Sequence, residues 1–180
     1  MSTGTVMEFS SPIKVPDGRY FLKVTGQNRL QLNKLRVDSF NTKPVSFTVS
    51  ESQAEQIKSL EQNVISKANE RSAEWFGRKI QESTINKAFH SCVNGDTFDA
   101  CLSTVGGDVK TVFWDSAKKM KDKDSEWNSS VDIIVELSGV WFLKKSFGPI
   151  FKILQVKENK TSVEYMFVDE NEEDPSDYLD

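Results

Sequence analysis

Between Val45 and Ala68 the hydrophobic period of the chain changes, and this change limits the possible folds more than any other feature. Val45, Phe47 and Val49 alternate with Ser46 and Thr48, the pattern of a strand with one buried face. At Ser50 the alternation stops. Ser50 followed by Gln53 is a capping-box signature, and Ala54, Ile57, Leu60, Val64, Ile65 and Ala68 then fall at helical spacing. The helix is expected to run toward Trp75-Phe76 and to stop near Gly77, with a shorter helical piece from Ile80 to Phe89.

Strand-like segments lie on both sides of this block. Upstream, an apolar run from Val6 to Val15 meets the turn signal Pro16-Asp17-Gly18. Tyr20, Leu22 and Val24 then alternate with Phe21 and Lys23, which predicts a hairpin. Leu30 and Leu32 take one parity while Leu35 and Val37 take the other, so a bulge is expected near Asn33. Downstream, Asn94-Gly95-Asp96 and Gly106-Gly107-Asp108 mark turns, and strands are expected over 109–114, 131–144, 149–157 and 162–168. The order is strands, one helical block, strands, without the alternation that signals a parallel sheet. This is a mainly β (α+β) pattern. It fits a small antiparallel barrel with a helix packed across it, the five-stranded OB-fold foremost.

A chain of 180 residues is one domain in size, read here as 1–168 followed by a tail, 169–180. No apolar run approaches the roughly 18 residues needed to cross a bilayer, and MSTGTVMEFSSPIK lacks the pattern of a signal peptide. An intracellular, non-secreted protein without membrane attachment is expected. Cys92 and Cys101 fit a reducing compartment. With His90 they make three potential metal ligands but no clear fourth, so three ordinary half-buried side chains are the favoured reading and no metal is expected.

The formal charge of −4 conceals a division. Asp169, Glu170, Glu172, Glu173, Asp174, Asp177 and Asp180 give the tail seven acids and no base, which leaves 1–168 with 20 acids against 23 Lys and Arg, a net of +3. The densest cationic stretch is GVWFLKKSFGPIFKILQVK, Gly139 to Lys157, with Lys144, Lys145, Lys152 and Lys157 among Trp141, Phe142, Phe147 and Phe151 and no carboxylate. Cations that neutralise phosphates and flat rings that stack on unpaired bases are the two requirements of a single-strand binding surface. Half of such a strand must face the core, so Trp141 is favoured over Phe142 as the exposed ring, and Phe151 stays ambiguous. Lys34 and Arg36 belong to a second basic stretch, and Lys118 and Lys119 follow Trp114 in a loop. The expected phosphate contacts are Lys34, Arg36, Lys118, Lys119, Lys144, Lys145 and Lys152. Trp114 and Trp141 are the expected stackers, with Trp75 and Trp127 assigned to packing or to a loop.

Catalytic signals are thin. The chain has no GxxxxGK[ST], GxGxxG, HExxH or GxSxG, and its one histidine excludes a multi-histidine centre. A Mg2+ nuclease built from Asp132, Glu136, Glu158 and Lys160 and a protein-docking module are the alternatives; no cofactor and no catalytic residue are expected.

ELSGVWFLKKSFGPIFKILQVK (Glu136 to Lys157), followed by an acidic terminus ending Tyr178-Leu179-Asp180, resembles the single-stranded-DNA-binding proteins of large nucleocytoplasmic DNA viruses. Those are related to the replication protein of podovirus phages. The resemblance implies an OB-fold with its helix between the third and fourth strands, sequence-independent binding of single strands, and a homodimer. It also implies a tail, Asp169 to Asp180 with Tyr178 as its aromatic, that competes with DNA and recruits a polymerase or a helicase-primase. A viral role of this kind places the protein in the host nucleus or a cytoplasmic factory.

Overall fold

The computed structural model describes residues 6–127 and 130–160, so the expected strand at 162–168 and the acidic tail lie outside the described residues. Five strands come first: β1 (Glu8–Phe9), β2 (Ile13–Lys14), β3 (Tyr20–Thr25), β4 (Arg29–Val37) and β5 (Val45–Thr48). Three helices follow, α1 (Glu51–Glu70), α2 (Ser72–Phe76) and α3 (Glu82–Ala88). Then come β6 (Val93–Asn94), β7 (Thr97–Leu102), β8 (Thr104–Val105), β9 (Asp108–Val109), β10 (Val112–Trp114), β11 (Ser130–Phe142) and β12 (Phe147–Glu158).

Local chemistry accounts for most of these boundaries. The Pro16-Asp17-Gly18 turn joins β2 to β3, with the Gly18 N–H donating to the Val15 carbonyl at 2.9 Å and Lys14 paired with Tyr20. Ser50 starts α1 through the reciprocal capping box: its hydroxyl accepts from the Gln53 N–H at 3.1 Å, and the Gln53 Oε1 accepts from the Ser50 N–H at 2.9 Å. The helix turns Ala54, Ile57, Val64 and Ala68 inward, breaks at Arg71, and resumes as α2, which Gly77 ends in the left-handed region.

β3 and β4 are two halves of one interrupted strand, because both pair antiparallel with β11 along successive parts of its length. Buried Asn28 bridges the interruption: its amide donates to the carbonyls of Val24 (3.2 Å) and Leu137 (2.9 Å). The expected bulge near Asn33 is present as a register shift opposite Val131–Ile133, with Lys34 at φ 56°.

The pairings close on themselves. β4 pairs with β5, β5 with β7, β7 with β12, β12 with β11, and β11 again with β4, all antiparallel except β7 with β12. β10 extends the far edge of β12 in parallel. Counted around this circuit, the helical block lies between the second and third strands, where the resemblance implied a place between the third and fourth. β7 is a further difference, since no strand was expected there: Phe98, Ala100 and Leu102 alternate with polar residues, but one of the three is only an alanine.

The circuit encloses Leu22, Leu35, Phe47, Phe98, Ile133, Leu137, Phe151 and Ile153, all essentially inaccessible. Each such side chain contributes about 1.5–3 kcal/mol by leaving water. Phe151 is therefore core, with its ring edge-on to Phe98 at 5.3 Å. Trp75 and Phe76 of α2 cover the end nearest the β11–β12 turn, edge-on to Phe142. No helix among the described residues is long and apolar enough to cross a membrane.

Candidate functional site

β11 and β12 are buried on one face and open on the other. On β11, Val131, Ile133, Val135 and Leu137 point inward, while Asp132, Ile134 and Glu136 point out. A bulge between Leu137 and Gly139 then switches the parity, so Val140 and Phe142 are buried and Trp141 turns outward. β12 does the same: Phe151 and Ile153 face the core, Ile150 and Lys152 face out, and past a register shift Gln155 and Lys157 are exposed.

Cross-strand register arranges the outer face in rows. Nearest the β11–β12 turn, Ile13, Phe21, Trp141 and Gly148 stand side by side on β2, β3, β11 and β12. The Trp141 indole crowds the place where a Gly148 Cβ would stand, and Phe21 crowds Gly139 in the same way, so each ring packs against a glycine of the sheet. The His90 ring is 5.9 Å from that of Trp141. In the middle, Arg29, Glu136 and Lys152 share a row, with Arg29 and Glu136 paired at 3.6 Å.

At the far end Gln31, Ile134 and Gln155 are neighbours, and β10 brings Trp114 beside Lys157. Here a pocket of about 430 Å³ opens between Trp114 and the sheet, with Lys118 on its rim. The Trp114 Nε1–H donates to the Gln155 Oε1 at 3.0 Å, which fixes the indole. The rim is set by Asp115, whose carboxylate accepts from the N–H groups of Ala117 (2.8 Å) and Lys119 (2.9 Å); Lys118 takes φ 64° in the turn. Along β11 the Trp114 and Trp141 rows are separated by about 30 Å, at roughly 3.3 Å per residue.

Two carboxylates of β11 lie on this face and neither is free. Glu136 is paired with Arg29, and Asp132 with Lys157 at 3.3 Å. Partial burial pushes the Asp132 carboxyl up, but hydrogen bonds from the Lys34 N–H and the Asn159 amide, with the ammonium of Lys157, outweigh it and hold the group below its ordinary range. By contrast Lys23, Lys34, Lys118 and Lys152 have no carboxylate partner among the described residues. The face is therefore net cationic.

The structure brings Trp114, Lys118, Lys152 and Trp141 onto this one face, with Lys34 and Arg36 exposed on β4 at its border. Lys119 lies in the loop beyond the rim. Lys144 and Lys145 form the hairpin tip, closed by the Leu143 N–H donating to the Ser146 carbonyl at 2.8 Å; Lys144 turns into a separate cleft with Trp75, Arg78 and Phe142. Trp127 is half-buried against Phe40 and Phe113, with the Lys121 ammonium 4.3 Å above it. His90 rests near Trp141, and the Cys92 thiol donates to the Pro149 carbonyl at 3.5 Å. Burial pushes both cysteine thiols up, so neither is poised as a thiolate. Phe21, Lys23, Arg29, Gln31, Gln155 and Lys157 belong to the face but were not expected site residues. The alternation around buried Leu22, Val24 and Leu32 was the available signal.

The sequence model of a family of unknown function, DUF5871, matches residues 33–170. No curated protein matches the chain. Solved structures similar to it include the single-stranded DNA-binding protein from bacteriophage Enc34, 12% identical, covering 96% of this chain and 99% of that one with a TM-score of 0.47. The same phage protein in complex with single-stranded DNA is 11% identical over 85% of this chain and 96% of that one, TM-score 0.44. The third is gp2.5, a single-stranded DNA-binding protein encoded by bacteriophage T7, 14% identical over 81% of this chain and 98% of that one, TM-score 0.44.

Proposed function

The chain belongs to the family DUF5871, and we propose that it binds single-stranded DNA without sequence preference, across the outer face of β4, β11, β12 and β10. One observation carries this reading: among the described residues Lys23, Lys34, Lys118 and Lys152 have no carboxylate partner, on a face whose own acids, Asp132 and Glu136, are already paired, with Trp114 and Trp141 at its two ends. Unpaired ammonium groups release counterions when they meet phosphates, and indoles packed against a glycine or held by one edge offer a stacking surface to any base. The closed circuit of strands is, in this reading, an OB-type barrel. Titration with oligo-dT tests it: tryptophan fluorescence should quench, and affinity should fall steeply with salt. Absent or salt-insensitive binding refutes it.

The tail extends the proposal. Seven acids on residues 169–180 complement a cationic face, so the segment competes with DNA for it, and Tyr178 adds a ring for the same surface or for a recruited polymerase or helicase-primase. The resemblance of Glu136–Lys157 and of this terminus supports a role in replication, recombination or repair of a viral genome, as a homodimer inside the host cell.

A second reading, a protein-docking module, is favoured by the cleft between α2 and the hairpin tip, where Tyr20 (47%) and Leu143 (53%) are exposed beside Arg78 and Lys144. Deleting 169–180 separates the two. A DNA binder then binds oligo-dT more tightly, whereas a module that docks partners in that cleft gains nothing for DNA.

A further inference from the structure

The pocket at Trp114 has a feature that bulk electrostatics does not require. Its floor is the outward side chain of Ile134, and Gln31 and Gln155 flank Ile134 on the two neighbouring strands. Both amides are already oriented by a neighbour, and in opposite senses. The Gln155 Oε1 is taken by the Trp114 Nε1–H, which leaves its NH2 to donate. The Gln31 Nε2 donates to the Asn33 Oδ1 at 3.0 Å, which leaves the Gln31 Oε1 to accept. The two amides thus present one donor and one acceptor on either side of an apolar floor, beside an indole held by its Nε1–H and with the paired Asp132 and Lys157 completing the wall.

We propose that this pocket is a single-nucleobase subsite. It takes one base against Trp114 and Ile134, with the base's pairing edge shared between Gln31 and Gln155 and the adjoining phosphate on Lys118. Every nucleobase carries a donor beside an acceptor on its pairing edge: the amino group and N1 of adenine, N1–H and O6 of guanine, the amino group and N3 of cytosine, N3–H and O4 of thymine. A donor–acceptor pair of amides therefore satisfies all four, adenine and cytosine in one orientation and guanine and thymine with the ring turned over, while rejecting a base whose edge is blocked. The inference rests on the proposed DNA-binding reading and assigns to the same face a chemistry that stacking and charge alone do not give.

The test compares an octamer of thymidine with an octamer of N3-methylthymidine, which keeps charge and stacking but lacks the edge donor. The wild-type chain should bind the methylated octamer about tenfold more weakly. Q31L/Q155L should bind the two octamers alike. Q31L alone, which removes the acceptor for N3–H and leaves the Trp114–Gln155 hydrogen bond in place, should also abolish the discrimination, so the outcome does not hang on the fold of the double variant; far-UV circular dichroism checks both. Equal wild-type affinity for the two octamers, with salt-dependent binding intact, overturns the subsite and spares the DNA-binding reading. Failure to bind either octamer overturns both.

Discussion

Lys152 offers a quantitative check on the cationic face. It stands at the centre of the outer face, half-buried between Glu136 of β11 and Cys101 of β7 in the cross-strand register, and no carboxylate pairs with it among the described residues. Four lysines on the face share that lack of a partner: Lys23, Lys34, Lys118 and Lys152. If each neutralises one phosphate, and each neutralised phosphate contributes about 0.7 to the logarithmic salt slope of a single strand, the wild-type slope is about −3 and that of Lys152→Ala about −2. Raising salt from about 50 to about 200 mM should then weaken wild-type binding about 50-fold and the variant about 20-fold. The assay is an oligo-dT titration by tryptophan fluorescence at several salt concentrations. Lys58→Ala, on α1, is the control, because that lysine lies outside the face and should leave the slope unchanged. A Lys152→Ala slope equal to wild type, or a Lys58→Ala slope lowered as much, would refute the assignment of the phosphate path to this face.

The fold and its buried groups give further tests. Gly139→Ala places a Cβ 2.6 Å from the Leu22 carbonyl oxygen and into the edge of the Phe21 ring, so it should cost about 1–3 kcal/mol, read as a lower thermal midpoint; an unchanged midpoint would show that β3 and β11 separate freely there. Glu61 is buried on α1, its carboxylate accepting from the Ser91 hydroxyl (2.6 Å) and the Cys92 N–H (2.7 Å), and burial pushes its carboxyl up despite those bonds. The native state therefore takes up the Glu61 proton before the unfolded chain does. The wild type should gain stability relative to Glu61→Gln as pH falls from the raised value to the ordinary 4.5, measured by urea unfolding; a pH-independent difference contradicts it. A thiol reagent should modify exposed Cys101 first and Cys92 only on unfolding; equal rates in the native protein would contradict the burial of Cys92.

Parts of this molecule were open to reading because they depend on neighbours in the chain. The capping box at Ser50, the turn at Pro16-Asp17-Gly18, the break at Gly77 and the parity switch near Asn33 are each decided within a few residues, and each stands where the pattern put it. Trp141 turning out while Phe142 turns in agrees with the expected preference. Its cause, the bulge between Leu137 and Gly139, left no local mark, since Ser138 and Gly139 suit many conformations. β7 was not expected because the alternation of Phe98, Ala100 and Leu102 is short and is weakened by the alanine at its centre.

Sequence alone determined the period of each segment, the separation of a basic body from an acidic terminus, and the wealth of aromatic and cationic residues from 139 to 157. Those properties are sums or short-range patterns. Only the tertiary structure decided which strands adjoin: it set β10 along β12, so that Trp114 meets Gln155 41 residues away, and it paired Asp132 and Glu136 with cations while leaving four lysines without a carboxylate partner among the described residues. Strand adjacency is a property of the whole closed circuit, in which each pairing depends on the others being made, so no local stretch of chain carries it.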